Sequence, residues 1–141
     1  MNLTVWDEEQ RKLHFPLFVF RSGVWFLNGP ADGIGFDVRV NRFWMEDWGS
    51  RPHEADHAVT LALEHVARAP RLVPMFGHRY LASEPLLEGN PVFSVVQTDV
   101  VYYGNDLAGY FALEFGVAKP TWARSSPRKI DFWSLLAETK T

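Results

Sequence analysis

Apolar and polar positions alternate along the chain with two different periods, and the changes of period mark out its elements. Leu13 to Phe20 and Val24 to Leu27 are aromatic-rich apolar runs separated by Arg21-Ser22-Gly23, a turn signal, so the pattern predicts a first hairpin there. Gly29-Pro30 and Asp32-Gly33 interrupt the chain again. Ile34 to Val40 then alternates, with Phe36, Val38 and Val40 on one face, which predicts a third strand. A helix is predicted from His53 to Ala69, closed by Pro70, because proline disfavours helical geometry in the residue before it. Its apolar stripe is Ala55, Val59, Ala62, Leu63 and Val66, while His53, His57, Glu64 and Arg68 fall on the side facing water. Strand-like runs follow at Arg71 to Phe76, His78 to Leu81, Val92 to Val96 and Asp99 to Tyr103, with the polar loop Ser83 to Asn90 between the second and third. Gly104-Asn105-Asp106 supplies a turn and an N-cap for a helix carrying Leu107, Tyr110, Phe111 and Phe115, with Gly116 as its stop. Ser126-Pro127 offers a start for a short terminal helix bearing Phe132, Trp133 and Leu136. Strands, helix, strands and helices in this order predict an α+β fold: one domain over residues 1–141, with a mainly antiparallel sheet, a long helix and two shorter C-terminal helices.

Composition narrows the class. With 141 residues, 47% hydrophobic and 22% charged, the chain has enough apolar surface for a single core. Fourteen Lys and Arg against seventeen Asp and Glu give a net charge of -3, and no basic run of five or more occurs, so a direct nucleic-acid partner is not expected. The absence of cysteine excludes disulfides and thiolate metal sites. Met1 to Glu9 shows no basic start followed by an apolar stretch, and runs such as Phe15 to Phe20 are too short to cross a bilayer. The expectation is a cytoplasmic protein with no membrane partner.

One string carries candidate chemistry. His53-Glu54-Ala55-Asp56-His57 matches the pattern in which two histidines one helical turn apart bind zinc and the glutamate acts as general base. It falls at the start of the predicted helix, on its solvent side, and no third ligand follows in metzincin spacing, so a solvated charged face is the preferred reading over a small metal-dependent hydrolase. Nucleophile-elbow, P-loop and dinucleotide motifs are absent, and sequence spacing alone does not place Glu84, Glu88 and Asp99 across a scissile bond. No catalytic residue, metal or cofactor is assigned. Aromatic residues make up 15%, more than a core of this size needs, and some of them are expected to anchor a partner. The partner-binding candidates are Trp44, Trp48, Tyr102 and Tyr103, together with His78, Arg79 and Tyr80 and with Gln97 and Asp99 from two polar triplets set among apolar strands.

Arg71-Leu72-Val73-Pro74-Met75-Phe76-Gly77-His78-Arg79-Tyr80, followed by the block from Gly89 to Gly104, resembles the SUKH superfamily of bacterial immunity proteins and fungal regulators of cell-wall synthesis. Asp32 to Val38, Asn41-Arg42-Phe43-Trp44 and Trp48-Gly49-Ser50-Arg51-Pro52 resemble bacterial members too, so the resemblance spans about Asp32 to Phe115. Relatives begin with an amphipathic helix before the first strands, whereas Met1 to Asn28 reads as charged residues followed by a strand-like apolar stretch. The resemblance implies an α+β domain without enzymatic activity that binds and neutralises a protein toxin, often a nuclease. A scaffold or homodimeric regulator is the alternative.

Overall fold

In a computed structural model that describes residues 23–139, Gly23–Val40 forms one α-helix, α1. The strands expected at 24–27 and 34–40 are therefore helical, and the stretch 13–20 lies outside the described residues. Packing explains the difference. Pro30, Gly33, Ile34, Asp37 and Val38 are buried, a spacing of three and four that belongs to a helix face, while Val40 of the apparent alternation is exposed. The glycines and proline that read as chain breaks lie within the helix. A Cβ at Gly35 would meet Val59 and Leu63 of the next helix at 3.6 and 3.7 Å, and one at Gly29 would stand 3.0 Å from Tyr80 Oη. Low helix propensity is thus offset by close approach to neighbouring elements. Arg51 closes α1 by donating from Nη2 to Val38 O at 2.8 Å, a cation at the negative end of the helix dipole.

A 3-10 turn at Glu46–Trp48 leads to α2, Ala55–Arg68. This helix begins two residues later than expected, with Glu54 at its N-cap. Ala58, Ala62 and Val66 form its buried stripe. The four expected strands are present as β1 (Leu72–Phe76), β2 (Arg79–Ala82), β3 (Val92–Val96) and β4 (Asp99–Gly104). They form one antiparallel sheet in sequential order, the local topology that consecutive hairpins produce. Tyr80 pairs with Phe93 and Phe93 with Tyr102, so these three share a face with Ala82, Val95 and Val100. That inner face packs on Ile34 and Val38 of α1, and the same core takes in the stripe of α2 and Trp133 and Leu136 of the last helix. Arg79, Ser94 and Val101 pair in register on the outer face, as do Leu81 and Val92.

α3, Leu107–Phe115, and α4, Trp133–Glu138, complete the fold. The terminal helix starts seven residues after Ser126, with Phe132 at its N-cap, so Ser126-Pro127 belongs to the irregular connection. What fixes the start of α4 is burial of Trp133, whose Nε1 donates to Pro70 O at 2.7 Å, and the Ser134 hydroxyl, which accepts from Ile130 N at 2.7 Å. α4 packs on β4 beneath the inner face, and α3 crosses to the other side.

Candidate functional site

The outer face is only partly covered, and the way α3 is attached decides which part. Asp106 caps the helix: its Oδ1 accepts from Gly109 N at 2.8 Å, and its Oδ2 accepts from Arg124 N at 2.7 Å. Gly104 lets the helix fold straight back over β4, since a Cβ there would lie 2.6 Å from Tyr110 N. Gly116 ends it in the left-handed region, with its N–H on Ala112 O at 3.0 Å. Of the aromatic stripe expected for this helix, Tyr110 is buried, whereas Leu107, Phe111 and Phe115 are exposed.

Between α3 and the β1–β2 half of the sheet lies a cleft of about 1190 Å³. Its floor is Val73 and Leu81, one wall is residues 85–90 and the other is Leu107 and Phe111 of α3, continued by Val117 and Trp122. The walls present large apolar side chains to solvent: Leu86 is 94% exposed and Trp122 77%. Two buried polar residues hold the walls in place. Asn90 Nδ2 donates to Ala82 O at 3.0 Å and Pro85 O at 2.7 Å, and its Oδ1 accepts from Arg128 Nη1. Asp106 ties the 117–124 wall to the start of α3 through Arg124.

Beside the cleft, Arg79 organises a polar cluster. Its guanidinium carbon stands 3.6 Å above the Tyr103 ring, and its Nη1 donates to Ser94 Oγ at 2.8 Å. Its Nε is 3.5 Å from Glu114 Oε2 of α3, an ion pair longer than a hydrogen bond. His78 Nδ1 lies 2.7 Å from the same Ser94 hydroxyl and 2.9 Å from Arg79 Nη1. Partial burial, and then the Arg79 charge, hold the His78 imidazolium below its ordinary range, with Glu114 opposing. Burial raises the Tyr110 hydroxyl, and the Glu114 carboxylate adds to that.

The nine partner-binding candidates occupy four places, and none of them lines the cleft. Trp44 and Trp48 sit in an aromatic stack. Trp48 faces His65 at 5.4 Å and Phe132 at 6.2 Å, and Trp44 meets Trp48 edge-on while donating from Nε1 to Gly49 O. His78, Arg79 and Tyr103 come together in the cluster just described. Tyr80 and Tyr102 belong to the inner face: Tyr80 is 2% exposed, and Tyr102 stacks on Phe93 at 5.1 Å and donates to Glu138. Gln97 forms the β3–β4 turn at φ 56°, and Asp99 opens β4.

His53 and Glu54 precede α2, so His53 and His57 do not share a helical turn, and all three residues of the zinc-like string are exposed. Among the described residues no group of three or more His, Cys, Asp or Glu side chains is gathered to hold a metal ion. Among them, too, no helix is long and apolar enough to cross a membrane. Sequence reasoning did not single out the cleft. Its signal was Leu86-Leu87 and Trp122, large apolar residues inside polar or proline-containing connections, where no core requires them. No family model, curated protein or solved structure matches the chain.

Proposed function

We propose that this chain is a non-enzymatic protein-binding module of the SUKH type, acting in the cytoplasm as an immunity protein that neutralises a cognate toxin by covering its surface. The observation that carries the reading is the contiguous apolar surface formed by Leu86, Leu87, Phe111, Val117 and Trp122 around the cleft. Exposed patches of this kind, framed by rigid elements, mark contact surfaces. The α3 wall carries a single charge, Glu114, already committed to Arg79, and the lining of the cleft sets Glu88 and Arg124 among its apolar side chains, so the surface suits a mainly apolar element of the partner. The sequence blocks that resemble SUKH proteins add support, as does a helix, α1, standing before a four-stranded antiparallel sheet.

Co-expression with the product of the adjacent gene, as the candidate toxin, tests the proposal. The wild-type chain is expected to restore growth and to bind the toxin in vitro. Leu86→Asp combined with Phe111→Asp is expected to weaken binding about 100-fold while far-UV circular dichroism stays unchanged. Failure of the wild type to bind or rescue would count against immunity, and full binding by the double variant would move the contact elsewhere. Concentration-dependent dimerisation of the wild type that the same substitutions abolish would favour the homodimeric regulator instead.

A further inference from the structure

The two loop walls of the cleft differ in charge. Residues 83–90 contain Glu84 and Glu88 and no basic residue, whereas residues 117–130 contain Lys119, Arg124, Arg128 and Lys129 and no acidic one. Arg128 is held by Asn90 Oδ1 and Lys129 by Glu138. Glu84, Glu88, Lys119 and Arg124 are exposed, and none of them enters an ion pair among the described residues. Glu88 and Arg124 stay unpaired although the walls approach closely beside them, where a Cβ on Gly89 would stand 3.0 Å from Arg124 Cδ. Both line the cleft, and Glu84 and Lys119 are each the immediate neighbours of lining residues. An apolar channel therefore runs between a negative and a positive rim.

The floor decides what form an occupant takes. Val73 and Leu81 are register partners within the sheet, and neither Leu72 nor Pro74 lines the cleft, so it meets the face of β1 and not its outer edge. An extended peptide finds no strand edge to pair with there, and its backbone donors and acceptors would face apolar side chains. Asn90 and Asp106, the buried polar side chains of the walls, are turned to internal partners. A helix meets neither difficulty, because its backbone groups bond to one another. With a rise of about 1.5 Å per residue and a diameter of about 10 Å, a helix of about ten residues, near three turns, fills about 1190 Å³.

We propose that the cleft takes an amphipathic α-helix of the partner protein. Its apolar stripe lies on Val73, Leu81 and Phe111, with basic residues along the flank beside Glu84 and Glu88 and acidic residues along the flank beside Lys119 and Arg124. The opposed rims also set the direction of the helix. Turning it end for end with the stripe still on the floor exchanges its flanks and brings like charges together, which selects against the reversed orientation. The proposal rests on the cleft being the partner contact and adds what that partner presents to it.

Fluorescence anisotropy on the full chain tests it with three lactam-bridged helical peptides that share one leucine stripe. One has a lysine flank and a glutamate flank, one has lysine on both flanks, and one has glutamate on both. The mixed helix is expected to bind the wild type about tenfold more tightly than either of the others, and the gap to close at about 1 M salt. Glu84→Lys with Glu88→Lys makes both rims basic and is expected to turn the all-glutamate helix into the tightest binder. Lys119→Glu with Arg124→Glu is expected to do the same for the all-lysine helix. An unbridged peptide with the mixed side chains and two prolines is expected not to bind. No binding of the mixed helix by the wild type, equal binding of the three helices, or equally tight binding of the proline peptide overturns the proposal. Any of these results beside loss of toxin binding in the Leu86→Asp, Phe111→Asp variant leaves the cleft as the contact and removes only the helix. Full toxin binding by that variant removes the reading beneath it.

Discussion

Asp37 lies on the buried side of α1, and its Oδ2 accepts the backbone N–H of Thr98 at 2.9 Å and the Thr98 hydroxyl at 2.6 Å, 61 positions further along the chain. The other carboxylate oxygen takes Asn41 Nδ2 at 2.6 Å. One side chain therefore joins the end of α1 to the β3–β4 turn and helps hold Gln97 in its left-handed conformation. Asp37→Ala leaves the Thr98 donors without their partner in a part-buried position, at a cost of about 2–4 kcal/mol. The expected result is a lower urea midpoint with an unchanged slope, and a smaller loss for Thr98→Val; a change under about 0.5 kcal/mol would show that water replaces the carboxylate. At this scale the sequence was partly legible. Gln97-Thr98-Asp99 stood out as a polar triplet among apolar strands, but its contact runs through the middle residue. Asp37 was hidden among glycines and aromatics, because a pairing across 61 positions leaves no periodic signal. In the same way His78, Arg79 and Tyr103 were singled out, while Ser94 and Glu114 of the same cluster were not.

Elements whose boundaries are set by local chemistry were read correctly. α3 has its cap at Asp106 and its stop at Gly116, and the four strands follow alternation and turn residues, so each signal lies within the element itself. α1 was read as strands because its glycines and proline resemble breaks. Their role is set by what they touch, and that is tertiary information. The start of α4 was misplaced for a related reason: burial of Trp133 beneath β4 outweighs the Ser-Pro signal upstream. The attachment of α3 can be tested at Gly104. Gly104→Ala places a Cβ 2.6 Å from Tyr110 N and 2.8 Å from Tyr110 Cα, backbone atoms that yield only if the helix shifts. A loss of about 3 kcal/mol is expected, with a weakened near-UV tyrosine signal. Gly77→Ala, at φ 54° but in open space, is the control and should cost about 1 kcal/mol from backbone strain alone. Equal losses at the two positions would contradict the close-approach account.

Over the whole molecule, stability at high pH is governed by its buried phenols. Burial pushes Tyr80 from 10.0 up to about 12, and it raises Tyr102 and Tyr110 as well. Because the folded values exceed the unfolded one, this contribution is complete below pH 10 and is lost as pH rises through the folded values. Tyr80 alone accounts for about 2–3 kcal/mol of that decline. Denaturation midpoints are expected to fall steadily above pH 10, and Tyr80→Phe to flatten the decline; an equally steep fall in the variant would assign it to other groups. The two faces of the sheet also divide the molecule's tasks. The inner face, with α1, α2 and α4, contains the core, whereas the cleft on the outer face is bounded by two loops hung from Asn90 and Asp106. In evolutionary terms those two side chains act as fixed hooks and the loop residues between them as exchangeable cargo. Leu86, Leu87 and Trp122 contribute almost nothing to the core. A lineage can therefore rewrite what the cleft fits by drift and selection in two short segments, and keep the fold that presents them.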